Sequence, residues 1–206
     1  MSTKQKLPRS DKTELRRLHI LDAALTCFIQ QGFHQTSMRD IAMAAGVSLG
    51  NLYNHFSGKE ALIIEIAALE AAELQLLIEG LRTEPDAIAA LDVFVRRYLA
   101  NSMQQETVVL TIEVMAEAVR NPPVAQHFAE NRRYLAAALA HVLQRAADTG
   151  SAPGIWQAAE AAEAVLDIIE GAAFRTVLLP ATAAPATVET VLRTVQALLG
   201  VRSRHA

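Results

Sequence analysis

At 206 residues the chain has room for a small domain beside a larger one, and 51% of its residues are hydrophobic while only 5% are aromatic. This composition favours close-packed helices. The single cysteine, Cys27, excludes an intramolecular disulfide and indicates a reducing compartment. No apolar run is long enough to span a membrane and the polar first 17 residues do not resemble a signal peptide, so we expect a cytoplasmic protein.

The formal net charge is only −3, but the charges are unevenly distributed. The first 59 residues contain eight basic and four acidic residues, whereas the remaining 147 contain 11 basic and 18 acidic ones. A short basic segment on an acidic body is typical of a polyanion-binding domain attached to a second domain. Charge alone leaves open another interpretation, a basic disordered tail that extends to about Arg9.

The spacing of apolar residues predicts helices throughout the chain and no strand of useful length. Ser37 and Ser48 are suited to cap the starts of two short helices, and Gly32, Gly46 and Gly80 to end helices. Clusters of Pro, Gly and Thr mark the later breaks. The predicted helices cover 11–31, 38–45, 49–56, 58–80, 85–103, 106–120, 123–148, 156–179 and 186–200.

Two short capped helices joined by a tight turn between Thr36 and Lys59 form the pattern of a helix-turn-helix. Gly46 can adopt the left-handed conformation that such a turn requires. In the second short helix, Leu52 and Phe56 are four residues apart and are predicted to face the core. The opposite face of that helix is therefore free to contact a partner.

This opposite face is polar. Asn51, Asn54 and His55 share it by helical spacing, and asparagine can pair with the adenine edge in the major groove through two hydrogen bonds. Tyr53 and Lys59 are suited to phosphate oxygens. The competing interpretation is that each of these side chains simply faces water.

The chain from residue 36 to residue 62 resembles the signature of the tetracycline-repressor (TetR) family; it reads TSMRDIAMAAGVSLGNLYNHFSGKEAL. The resemblance covers about residues 12–80, and beyond them the chain matches only in being helical. Many members have Lys, Arg or Pro at the position of Leu49, where this chain could make an apolar contact with a thymine methyl group. The resemblance implies DNA contacts by Ser37, Arg39, Leu49, Gly50, Asn51, Tyr53, Asn54, His55 and Lys59.

The resemblance also implies an all-α fold with an N-terminal arm and helix-turn-helix domain over 1–59 and a ligand-binding and dimerisation domain over 60–206. The expected protein is a homodimeric repressor that a small-molecule inducer releases from a palindromic operator in double-stranded DNA. The last two helices, with Gly171, Ala172 and Ala173 allowing close approach, would form the dimer interface. Eight residues could line a ligand cavity in the second domain, although simple core packing is the favoured role for each: Phe94, Tyr98, Met103, Met115, Phe128, Tyr134, Trp156 and Phe174.

The helix predicted over 106–120 contains an acidic pattern with two interpretations. Glu113 and Glu117 could be buried carboxylates that bind a cationic ligand. The spacing of Glu106, Glu113, Glu117 and Arg120 instead favours a single solvated stripe.

A function of another class must be considered, because residues 46–50 match the G-x-S-x-G motif of serine hydrolases. That motif places its serine after a buried strand, whereas the residues before Ser48 have helical spacing and Ser48 is explained as a helix cap. The six histidines are scattered and fit no metal-ligand spacing. We therefore expect neither an enzyme nor a metal or cofactor.

Overall fold

A computed structural model describes residues 9–152, 157–179 and 184–201, and within these ranges the chain forms helices and turns without any strand. The all-α prediction is confirmed. The helices are α1 (Arg9–Gln31), α2 (Met38–Ala44), α3 (Leu49–Tyr53), α4 (Lys59–Thr83), α5 (Ala87–Ser102), α6 (Gln105–Ala118), α7 (Pro122–Asp148), α8 (Ala158–Leu178) and α9 (Ala184–Leu198).

The predicted ends of α3 and α4 differ most from the observed ones. Helix α3 ends at Tyr53 rather than near residue 56, because Asn54 is its C-cap residue. Helix α4 continues through Gly80 to Thr83. An exposed glycine inside a helix costs only about 1 kcal/mol, which a helix of 25 residues tolerates, and Pro85 lies just beyond the observed end.

The chain divides into two compact units. Among the described residues, the first unit comprises those up to 68 together with 110–125, and the second comprises 69–109 and those after 125. The first residues of α4 and most of α6 therefore lie in the same compact unit as the helix-turn-helix. The functional boundary expected between residues 59 and 60 stays a prediction.

The first unit has its own core, to which α1, α2, α3 and α4 each contribute. Full burial of such side chains stabilises by about 1.5 to 3 kcal/mol each, so the short helices depend on this core rather than on their own propensity. Cys27 is buried as predicted, and burial raises the pKa of its thiol. The largest fully buried side chains of this unit are Ile20, Leu21, Phe28, Ile41, Leu52, Leu62 and Ile63.

The second unit encloses a separate core built from the end of α4 and from α5, α7, α8 and α9. Ala172 belongs to this core and Ala173 is also buried, so within this group of small residues only Gly171 is exposed. The dimer interface expected on the last two helices stays a prediction. Within the ranges described, no helix is long and apolar enough to cross a membrane.

Candidate nucleic-acid interface

Helix α2 begins with a complete capping box. The Ser37 hydroxyl accepts the backbone N–H of Asp40 at 3.2 Å, and the Asp40 carboxylate accepts the backbone N–H of Ser37 at 2.8 Å. These hydrogen bonds from Ser37 hold the pKa of the Asp40 carboxyl below its ordinary value. Arg39, the residue before Asp40, is exposed, so the start of α2 presents a fixed backbone turn beside an accessible cation.

The turn between α2 and α3 has the predicted geometry. Gly46 has φ of 60°, in the left-handed region, and the Val47 N–H donates to the Ala42 carbonyl at 3.0 Å. Ser48 then caps α3 by accepting the backbone N–H of Asn51 at 3.1 Å. Since a helix, not a strand, precedes Ser48, the residues do not form the nucleophile elbow of a serine hydrolase.

Helix α3 separates two faces as the sequence predicts. Leu52 and Phe56 are buried at 0% and 3% exposure. On the other side, Tyr53 is 50% exposed and Leu49 is 36% exposed. The remaining predicted DNA contacts are all accessible: Ser37, Gly50 and Asn54 are exposed, and Asn51 and His55 are partly exposed.

Arg17 of α1 fixes the C-terminal end of α3. Its guanidinium pairs with the Glu65 carboxylate through two hydrogen bonds and also donates to the His55 carbonyl at 3.3 Å. The same guanidinium lies 4.6 Å from the centroid of the Phe56 ring, a cation–π contact. Another α1 side chain, His19, donates from Nε2 to the Ala45 carbonyl at 3.0 Å, beside the turn.

Lys59, at the start of α4, is engaged inside the first unit. Its ammonium donates to the Phe33 carbonyl at 2.5 Å and to the His34 carbonyl at 3.3 Å, and lies 4.6 Å from the centroid of the Phe33 ring. Burial lowers the pKa of this ammonium, and the charge of Glu117 acts in the opposite direction. The phosphate contact predicted for Lys59 stays a prediction.

The solvated stripe expected on α6 is wrong for two of its members. The Glu113 carboxylate accepts the backbone N–H of Phe33 at 2.7 Å. Glu117 is only 9% exposed, and its carboxylate lies 3.5 Å from the Nε2 of His34. Helical spacing placed these side chains on one face correctly, but it could not reveal that this face contacts the loop after α1.

The predicted ligand-lining residues are found in several environments. Phe94 is buried and stacks on Tyr98 with ring centroids 5.4 Å apart, and burial raises the pKa of the Tyr98 phenol. Met115 and Tyr134 are 48% and 68% exposed. Met103, Phe128 and Phe174 are partly buried, and Trp156 lies outside the described residues. Their role in binding a ligand stays a prediction.

Two family models match the chain, and together they cover both units. The model of bacterial regulatory proteins of the tetR family matches residues 20–66. The model of the C-terminal part of BetI-type transcriptional repressors matches residues 87–200. Neither description is that of an enzyme, so the serine-hydrolase alternative is not supported.

Known proteins agree with these matches. The transcriptional regulator UidR of Escherichia coli (strain K12) is 36% identical over 112 residues, so the match spans 53% of this chain and about half, 55%, of that relative. The structure of Salmonella enterica GusR has a TM-score of 0.74 and 28% identity, covering 90% of this chain and 96% of that one. The structure of FadR from Bacillus subtilis in complex with stearoyl-CoA shares the fold, with a TM-score of 0.77 and 19% identity over 88% of this chain and 98% of that one. The helix-turn-helix, the two matching models and these relatives agree: the chain belongs to the tetR family of bacterial regulatory proteins.

Proposed function

We propose that this protein is a sequence-specific transcriptional repressor that binds a palindromic operator in double-stranded DNA through α3 as a homodimer. The observation that carries the proposal is the outer face of α3, which presents accessible polar side chains on a helix whose inner face is fully buried. A short helix held in this way can enter the major groove without losing its shape.

Sequence would be recognised by the residues at the exposed side of α3. Asn51 and Asn54 offer amide groups that match the adenine edge, and Leu49 offers an apolar contact to a thymine methyl group. Gly50 has no side chain, so the backbone can approach the DNA closely. Tyr53 is suited to a phosphate oxygen.

The remaining contacts would position the protein on the DNA backbone. Ser37 and Arg39 are exposed at the start of α2, where a hydroxyl and a guanidinium can reach phosphate oxygens. His55 is partly exposed at the far end of α3 and can reach the same strand or a base edge. The phosphate contacts contribute affinity rather than sequence preference, whereas a base contact by His55 would add to sequence preference.

The small size of helix α3 supports dimerisation. Helix α3 has five residues, so one helix-turn-helix contacts only a few base pairs. Specific binding therefore needs two helix-turn-helix units in successive major grooves. We assign the interface to α8 and α9, where Gly171 is exposed and an added Cβ would meet no described atom within 4 Å. A two-fold dimer would then require an inverted repeat in the operator.

Release by a small-molecule inducer completes the proposal. The FadR neighbour binds stearoyl-CoA, and the second unit of this chain has the same helical fold. A ligand held there could act through α4, which begins in the first unit and ends in the second. The inducer must bind the DNA-incompetent state more tightly, and operator DNA must then weaken its binding by the same factor.

The test is a set of asparagine substitutions measured on DNA sequences selected from a random pool. Asn51→Ala or Asn54→Ala should lose about 1 to 3 kcal/mol of discrimination at the base pair it contacts, because the paired hydrogen bonds are lost. Asn101→Ala, an exposed asparagine on α5, is the matched control and should leave affinity unchanged. Equal weakening on every sequence by both α3 variants would refute base recognition through these residues.

A further inference from the structure

The loop between α1 and α2, residues 32–37, sets the angle at which the helix-turn-helix leaves α1. Gly32 has φ of 85° and its N–H donates to the Phe28 carbonyl at 3.0 Å, which ends α1. Thr36, only 1% exposed, donates its hydroxyl to the Gly32 carbonyl at 2.8 Å. Both ends of the loop are therefore fixed by short-range bonds.

The middle of the loop is held by side chains from elsewhere in the first unit. The N–H of Phe33 donates to the Glu113 carboxylate at 2.7 Å, and the carbonyl of the same residue accepts from the Lys59 ammonium at 2.5 Å. A negative and a positive group thus bind the two polar atoms of one buried residue. Hydrogen bonds to ionised groups are shorter and about twice as strong as neutral ones.

The fit of this arrangement is close. A Cβ added at Gly32 would lie 3.3 Å from the Glu113 Oε2, so a larger residue there would press on the carboxylate. Beside it, the carboxylate of Glu117, also on α6, lies 3.5 Å from the His34 Nε2. Helix α6 therefore contacts the loop at two consecutive residues, Phe33 and His34.

We propose that Lys59 and Glu113 are positioning residues for DNA binding, which hold Phe33 between them and so fix the orientation of α2 and α3. This inference rests on the proposed function, since orientation matters only if α3 reads DNA. It assigns to Lys59 a role that differs from a phosphate contact.

The geometry of Lys59 is the reason for preferring this role. An ammonium has three donors, and two of them are already directed at the carbonyls of Phe33 and His34. Arg39, in contrast, is exposed on α2. Loss of the Lys59 charge should therefore act on the loop, while loss of the Arg39 charge should act on the DNA contact.

The experiment measures operator affinity against salt concentration for Lys59→Met and Glu113→Ala, here called the clamp variants, and for the double variant. Arg39→Met and Glu106→Ala serve as controls. Each single clamp variant should weaken binding about tenfold, as expected for loss of a charge-assisted bond. The double variant should be weaker than the wild type by much less than the product of the two effects, since both act on Phe33. Arg39→Met should lower the salt slope by about one and the clamp variants should leave it unchanged.

A second measurement needs no DNA. In the free full-length protein, amide exchange of the Phe33 N–H should be faster in Glu113→Ala than in the wild type, and close to the wild type in Glu113→Gln, whose amide oxygen still accepts the bond. Glu113→Gln also replaces Glu113→Ala in the affinity series if the alanine variant does not fold, with an expected effect smaller than tenfold.

Several outcomes would overturn the proposal. If the effects of the two clamp variants on operator affinity are additive and Lys59→Met lowers the salt slope as Arg39→Met does, Lys59 binds phosphate directly. Unchanged affinity in Glu113→Ala, or unchanged exchange at Phe33, would exclude the positioning role. If the wild-type chain binds no DNA sequence at all, the proposed function itself is wrong, and the exchange measurement still tells whether the loop is held as described.

Discussion

Replacing Arg17 by methionine should loosen the attachment of α3. The substitution keeps the aliphatic part of the side chain and removes the guanidinium, which contacts Glu65, the His55 carbonyl and the Phe56 ring. Helix α4 and the segment between α3 and α4 therefore lose contact with α1 at once.

The magnitude follows from these contacts and their exposure. The side chains of Arg17 and Glu65 are 31% and 32% exposed, so solvent screens their pair and about 0.5 kcal/mol is a reasonable contribution. The cation–π contact with Phe56 adds about 0.5 to 1 kcal/mol. The bond to the His55 carbonyl is long at 3.3 Å and contributes about 0.5 kcal/mol. We expect Arg17→Met to lower the free energy of unfolding by about 1 to 2 kcal/mol.

The assay is urea unfolding followed by circular dichroism. Arg16→Met is the matched control, because it removes the same charge from the adjacent, exposed position of α1 and should change the free energy of unfolding by less than about 0.5 kcal/mol. Glu65→Gln should account for only part of the Arg17 effect. Equal stabilities of the Arg16 and Arg17 variants would show that these contacts do not hold α3.

Three further predictions concern the turn, the cap and the interface. Gly46→Ala should destabilise by about 1 to 2 kcal/mol in thermal unfolding, because alanine is strained at positive φ. Hydrogen bonds depress the pKa of Asp40 in the folded protein. Its carboxylate therefore stabilises the fold above the unfolded-state pKa, near pH 4, and this stabilisation is lost as the pH falls through the folded-state pKa. Asp40→Asn should accordingly reduce the fall in melting temperature at acid pH. Gly171→Ala should weaken the dimer in sedimentation equilibrium. Gly80→Ala is the control at another exposed helical glycine where an added Cβ meets no described atom, and it should raise the free energy of unfolding by about 1 kcal/mol. A dimer unaffected by Gly171→Ala would remove that residue from the interface.

The parts of this structure that could be predicted from the sequence are those set by neighbours along the chain. The caps at Ser37 and Ser48 act on residues three positions away, and Gly46 determines a turn of its own. The burial of Leu52 opposite the exposed side of α3 follows from a spacing of 3.6 residues per turn. Local rules were sufficient for the helix-turn-helix and for its two faces.

The contacts that hold this motif in place could not be predicted in the same way. Arg17 and Glu65 are 48 positions apart, and Phe33 and Glu113 are 80 apart. Periodicity shows that Glu113 and Glu117 share a face of α6, but it gives no information about the segment that packs there. For the same reason, a lysine at a helix start gives no sign that the carbonyls of Phe33 and His34 lie within reach of Lys59.

The measurement that tests the central claim most directly is selection of bound sequences from random double-stranded DNA by the purified full-length protein. A homodimer that reads DNA through α3 should enrich an inverted repeat, with half-site centres about 34 to 36 Å, or about 10 base pairs, apart or a multiple of that distance. The selected DNA should bind two chains per site and lose its preference at one symmetric pair of positions in Asn51→Ala. Recovery of no common sequence, or of a single half-site bound by one chain, would contradict the account.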